Sequence, residues 1–177
     1  ELSLDEVSVI AGGREIGRFA ELEAELRRGP EVRLEELAAI FDADLTPTIS
    51  TPAAARRLQD AAARRGVRIR CHLGIDTGMH RLGLRHDNLA RTVPAVLAAP
   101  NLEIAGVYTH FATADTPGDE LFARQCRNFE SAGRTLAALG VTGCVQHAAN
   151  SGALLADPAT WFDLVRPGLL MYGIAPR

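Results

Sequence analysis

The sequence contains no lysine, and all 19 of its Lys+Arg residues are arginine. Complete absence of lysine is unusual in a whole enzyme, and the first residue is Glu1 rather than Met. Both features lead us to expect an incomplete chain. No apolar run approaches the roughly 20 residues needed to cross a bilayer. Basic clusters are also missing. The formal net charge is −3, the pI is near 6.0 and the arginines are dispersed, so nothing points to a nucleic-acid surface. The opening segment, Glu1 to Glu6, is acidic and lacks the basic and apolar parts of a secretion signal, so a cytoplasmic protein is expected. Cys71, Cys126 and Cys144 are odd in number and widely spaced, which suits reduced thiols better than a disulfide framework. No G-x-G-x-x-G fingerprint follows any strand candidate, and we find no internal repeat or low-complexity linker.

What is present fits one well-packed domain: 177 residues, 47% of them apolar and 23% charged. From about residue 45, short β-like runs alternate with helical ones. Leu45–Ser50 is a strand candidate. Thr51-Pro52 offers an N-cap followed by proline in the first helical turn, and Gly66 closes that helix. Val67–Gly74 alternates Val67, Ile69, Cys71 and Leu73 with Arg68, Arg70 and His72, which is strand period. A helix is predicted over Asp87–Ala98, where Pro94 must kink or divide it. Leu102–Thr109 is the next strand, and Asp119–Leu139 is the clearest helix, with Gly140 as its stop. Cys144–Ala148 and Leu164–Arg166 complete the strands. Nearer the N-terminus, Val7–Ala11 reads as a strand, and Gly17–Arg28 and Leu34–Phe41 read as helices. Strands separated by helices imply parallel βαβ units, in a (β/α)8 barrel or in an open doubly wound sheet. A full barrel needs roughly 250 residues, so only part of one would be present.

Four polar segments follow strand candidates, where barrels keep their functional groups. In Asp76–Arg81, Arg81 carries a donor fork suited to a carboxylate or phenolate, although an isolated arginine in a glycine turn is ordinarily a surface residue. In His110–Asp115, His110 is either a satisfied structural residue or one that orients a charged neighbour. In His147–Gly152 a helix begins at Asn150 or Ser151, where Ser151 either simply caps it or helps to hold a phosphate. In Arg166–Leu169, the Gly168 and Leu169 amides could face the same phosphate, or Pro167-Gly168 is a plain turn.

Taken together, HLGIDTGMHRLG (72–83), Thr109–Asp115, Asn150-Ser151 and VRPGLLMYG (165–173) resemble alanine racemase, of fold-type III among pyridoxal phosphate enzymes. They occur in the family's order and cover roughly residues 45–177. The resemblance implies an α/β fold, a partial (β/α)8 TIM-type barrel, lacking the family's C-terminal β-domain. It also implies pyridoxal 5'-phosphate as cofactor and no metal. Arg81 would contact the phenolic oxygen of the cofactor and hold the substrate carboxylate. Arg166 would face the pyridine nitrogen, and His110 would hydrogen-bond and position Arg166. Ser151, Gly168 and Leu169 would bind the phosphate, with Asn150 and His147 in support. Because arginine keeps its own proton, the ring nitrogen would stay unprotonated and the ring would be a weak electron sink, which favours racemisation over transamination.

Family members hold the cofactor as an aldimine on a lysine near the N-terminus and draw a second base, a tyrosine, from the C-terminal β-domain. Neither is expected here, and Tyr108 and Tyr172 do not sit in the tyrosine's motif, so no catalytic residue is assigned to this chain. Gly74 also departs from the family, many members of which place a lysine there to position the arginine matching Arg81. The expected parent is a homodimer that interconverts L- and D-alanine, the latter for cell-wall peptidoglycan. These residues alone are expected to be inactive, poorly soluble and able to hold cofactor non-covalently at most. The alternatives are a non-catalytic phosphate- or cofactor-binding remnant, or part of a serine or broad-specificity amino-acid racemase.

Overall fold

The computed structural model describes residues 2–11, 14–24, 40 and 42–176. They fall into two compact units, Glu1–Thr46 and Pro47–Arg177.

The first unit contains β1 (Leu2–Ala11) and β2 (Arg14–Ala24), paired antiparallel from Ala11↔Arg14 to Leu2↔Ala24. The strand candidate Val7–Ala11 lies within β1. The helix expected over Gly17–Arg28 is overturned as far as Ala24, which is strand throughout. Gly12-Gly13 lies between the two pairing runs, and such a dipeptide is a hairpin signal that outweighs loose helical spacing. The expected helix Leu34–Phe41 falls almost wholly outside the described residues.

In the second unit, parallel strands alternate with helices. β3 (Thr48–Ile49) precedes α1 (Pro52–Arg65), whose first turn is capped by Thr51 Oγ1 accepting from the Ala54 amide at 3.0 Å. β4 (Ile69–Asp76) follows, then a two-residue strand, β5 (Leu84–Arg85), and α2 (Leu89–Leu97). α2 runs unbroken through Pro94, contrary to a division there, and a 3-10 turn, His86–Asn88, stands where the helix was expected to begin. β6 (Leu102–Tyr108), α3 (Glu120–Ala138) and β7 (Val145–His147) come next, with Asp119 capping α3. The short α4 (Ser151–Ala156) and α5 (Gly168–Met171) end the unit. The strand expected over Leu164–Arg166 is reduced to one bridge, Leu164 to His147.

The strand order β3-β4-β6-β7 follows the chain, with β5 beside β4. α1 packs on α2, and α2 on α3, so successive helices lie side by side. An open doubly wound sheet would reverse its order at a switch point. This sheet does not, and it is part of a TIM-like barrel wall. Leu73, Cys71 and Ile75 are buried on one face of β4, together with Val93 and Val96 of α2. Strand alternation therefore turns His72 and Gly74 to the opposite face.

Candidate functional site

Because the strands are parallel, the segments leaving β4, β6 and β7 emerge at one edge of the sheet. After β4, Asp76 folds the chain back on itself: its Oδ1 accepts from the Gly78 and His80 amides, each at 3.0 Å. Burial alone would raise the Asp76 pKa, but these backbone donors and the His80 charge outweigh it and hold the carboxyl below its usual range. The turn returns through Gly83, at φ 131°, where an added Cβ would lie 2.5 Å from the Asp76 amide nitrogen. Only glycine allows that closure. Arg81 sits exposed on this turn.

Beneath the loops runs a buried hydrogen-bond chain with a defined direction. Thr109 Oγ1 donates to the Ile75 carbonyl at 2.8 Å, so in its 2.7 Å contact with Thr77 Oγ1 it must accept. The Thr77 hydroxyl in turn accepts from Gln125 Nε2 at 3.2 Å. Gln125, on α3, also donates to the His110 carbonyl at 3.0 Å and accepts from the Ala112 amide at 2.9 Å. Asn128 donates to the Thr77 carbonyl at 2.9 Å. One helix thus ties down the loops after β4 and β6.

Asn150 links the next loop to its neighbour. Its Nδ2 donates to the Phe111 carbonyl at 3.1 Å, and its Oδ1 caps α4 by accepting from Ala153 at 3.0 Å. The cap is therefore Asn150, which leaves Ser151 available for another role. Ser151 Oγ accepts from the Leu170 amide at 3.2 Å, bringing α4 against the Pro167–Leu170 turn. A hydroxyl that accepts keeps its own proton to donate. The Gly168 amide, expected to face a phosphate, instead donates to the Arg166 carbonyl at 2.9 Å.

Arg166 lies at the centre of the site. Its Nη2 donates to the Thr109 carbonyl at 2.7 Å and the Ala148 carbonyl at 3.2 Å, and its Nη1 donates to His147 Nδ1. The imidazole hydrogen-bonded to Arg166 is that of His147, where the resemblance had assigned this role to His110. The reason is register: His147 ends β7 and forms the bridge to Leu164, two residues before Arg166, whereas His110 lies beyond the end of β6. Burial, then the positive charges of Arg166 and Arg81, push His110 down to about 4. Burial, then Arg166 and His72, push His147 down to about 3. Both rings are neutral at pH 7. The Tyr108 ring stacks on His147, 4.9 Å between centroids and 9° between planes, with the Arg166 guanidinium carbon 5.2 Å from the Tyr108 centroid. The structure thus gathers Arg166, His147, Asn150, Ser151 and the turn of Gly168 and Leu169, with His110 and Arg81 within electrostatic reach. Sequence reasoning missed Tyr108, His72, Thr77 and Gln125. For His72 the available signal was its place on the polar side of the β4 alternation.

The edge therefore carries a fixed guanidinium, neutral imidazoles and a serine beside a glycine turn. The chain matches the family described as alanine racemase, N-terminal domain, over residues 14–176. It belongs to that family. It is 41% identical over 138 residues to the alanine racemase of Chlorobaculum tepidum, covering 73% of this chain and 33% of that protein. It is 36% identical over 144 residues to that of Desulforamulus reducens, covering 80% and 39%. Among solved structures, alanine racemase from Streptomyces coelicolor A3(2) matches with a TM-score of 0.74 at 33% identity, covering 86% of this chain and 39% of that one. Alanine racemase of Clostridium difficile 630 in complex with cycloserine matches with a TM-score of 0.76 at 26% identity, covering 81% and 40%. The chain thus spans about two fifths or less of the length of these relatives. At Gly74, where many members of the family carry lysine, an added Cβ would meet Thr48 Cγ2 at 3.2 Å and the Tyr108 hydroxyl at 3.3 Å. Thr48 and Tyr108 thus occupy the space beside Gly74.

Proposed function

We propose that this chain is the cofactor-binding part of an alanine racemase, using pyridoxal 5'-phosphate held non-covalently as far as these 177 residues are concerned. The observation that carries this reading is the Arg166 guanidinium, fixed by His147 and two carbonyls beside the Ser151–Leu170 contact. The donor set fits such a group, because a phosphate needs N–H and O–H donors and a pyridine nitrogen needs one donor that will not give up its proton. When bound, the cofactor draws electrons from the substrate α-carbon and loosens its proton. Ser151 Oγ–H and the Leu169 amide hold the phosphate, with the Gly168 turn giving the backbone close access. Arg166 donates to the ring nitrogen and leaves it unprotonated. Arg81 takes the substrate carboxylate and the phenolic oxygen. His110, being neutral, adds no further charge beside Arg166 and Arg81, and Asn150 holds the phosphate loop against Phe111.

For the whole protein we read interconversion of L- and D-alanine in a cytoplasmic homodimer that feeds peptidoglycan. The support is the activity that its relatives' names carry. No helix among the described residues is long and apolar enough to cross a membrane. With no lysine to hold the cofactor or remove the α-proton, these residues alone are expected to racemise alanine no faster than buffer. Robust racemisation by the purified chain would overturn that division of labour.

The binding reading is tested by thermal melts with pyridoxal phosphate. Ligand at 100-fold its Kd stabilises the native state by about 2.7 kcal/mol. Ser151→Ala and Arg166→Met are each expected to reduce the shift, and an unshifted melt of the unsubstituted chain would sink the reading.

A further inference from the structure

We infer that His72 is a positioning residue for Arg166, acting through His147, and that Gly106 is what admits it. The inference rests on the cofactor reading in one respect only, that Arg166 is the group whose placement matters.

His147 Nε2 lies 3.0 Å from His72 Nδ1, and the two ring centroids are 5.0 Å apart. Arginine can only donate, so His147 Nδ1 accepts from Arg166 and the His147 proton sits on Nε2. That proton can then only point to His72 Nδ1, which places the His72 proton on its own Nε2. The line Arg166–His147–His72 thus has one sense, and both rings hold one tautomer. Without the second acceptor, one hydrogen bond and the Tyr108 stack alone would hold the His147 ring, loosening the Nδ1 that steers Arg166. The charged groups acting on His72 are Arg70 and Arg166, which with burial lower its pKa and keep it able to accept.

The arrangement depends on a close approach. An added Cβ at Gly106 would lie 2.6 Å from His72 Nε2 and 2.7 Å from two ring carbons. Real Cβ contacts are never that short, so any side chain at 106 must displace the imidazole. Gly106 and His72 are register partners on neighbouring strands. The glycine therefore makes room for the ring.

The test is nitrogen NMR on the 15N-labelled 177-residue chain. In the unsubstituted chain, His147 and His72 are expected as single Nε2–H tautomers, with slowly exchanging Arg166 guanidinium protons. His72→Phe keeps ring bulk but removes the acceptor. It should speed Arg166 exchange by about fivefold to tenfold, the factor one hydrogen bond commands. His72→Asn, whose amide oxygen can stand where Nδ1 stood, should restore slow exchange, and Gly106→Ala should behave like His72→Phe. An Nδ1–H tautomer at either ring, or unchanged exchange in both His72→Phe and Gly106→Ala, would overturn the proposal. A pyridoxal phosphate titration of the same samples separates the two readings. Intact tautomers with no cofactor binding would refute the cofactor site and leave the relay standing.

Discussion

At the scale of single residues, Arg166 shows how uncharged acceptors fix the direction of a charged group. A neutral imidazole and two backbone carbonyls accept from its guanidinium. Lysine could not copy this, because an ammonium has no planar fork to reach a ring nitrogen and two carbonyls together. Arg166→Lys is therefore expected to destabilise the chain by about 1–3 kcal/mol, read from urea unfolding, as the carbonyls lose their donors. A stability change near zero would mean that the three bonds hold nothing in place. Of this cluster, Arg166, His147 and Ser151 were readable from motifs. Tyr108, His72 and Gly106 were not. Their meaning comes from which strand lies beside which, and no local spacing records that.

At the scale of elements, α3 acts as a clamp. Its buried face carries Gln125 beside Phe129, Ala132 and Leu136, and a polar residue there explains itself only through its partners. Gln125 is fully buried and uses both ends of its amide on three different groups. Gln125→Leu keeps the volume and strands the Ala112 amide and the His110 carbonyl, so a loss of about 2–4 kcal/mol is expected in chemical denaturation. Because the same bonds hold the loops after β4 and β6, pyridoxal phosphate affinity should fall with it. Gln125→Glu, which can still accept from Ala112, should cost differently according to pH.

At the scale of the whole molecule, two properties follow from what is buried and what is exposed. Three imidazoles, His72, His110 and His147, are held below their ordinary 6.5, the last two at about 4 and about 3. The unfolded chain therefore binds protons that the folded chain refuses. Stability is complete above pH 6.5 and declines as pH falls toward 3, with no further loss from these groups below that. Melting temperatures measured from pH 7 to pH 4 should drop steadily, and more gently in His147→Asn. A flat profile would contradict the neutral-imidazole site. The second property is stickiness. Tyr172 is 76% exposed, and Leu169, Met171 and Ile174 beside it are also exposed. The purified chain is expected to self-associate by light scattering, and Tyr172→Glu with Ile174→Glu to reduce it. A sharp, reversible transition of a monomer would count against this.

The sequence by itself determined α1, β4, β6 and α3 of the second unit, because caps, stop glycines and strand alternation are local signals: Thr51, Gly66 and Asp119 act within a few residues of where they stand. It also determined the family, since ordered motifs survive in one dimension. The tertiary structure alone decided which imidazole meets Arg166, that Asn150 rather than Ser151 caps α4, and that the Gly168 amide turns back on Arg166. Strand register decides the first, by setting His147 beside Leu164, and Asn150 is fixed by its second bond, to the Phe111 carbonyl of a neighbouring loop. The first unit went the other way, as pairing along β1 and β2 overrode helical spacing. Contacts between residues far apart in sequence, such as Asn150 to Phe111 and Arg166 to His147, exist only once the chain has folded.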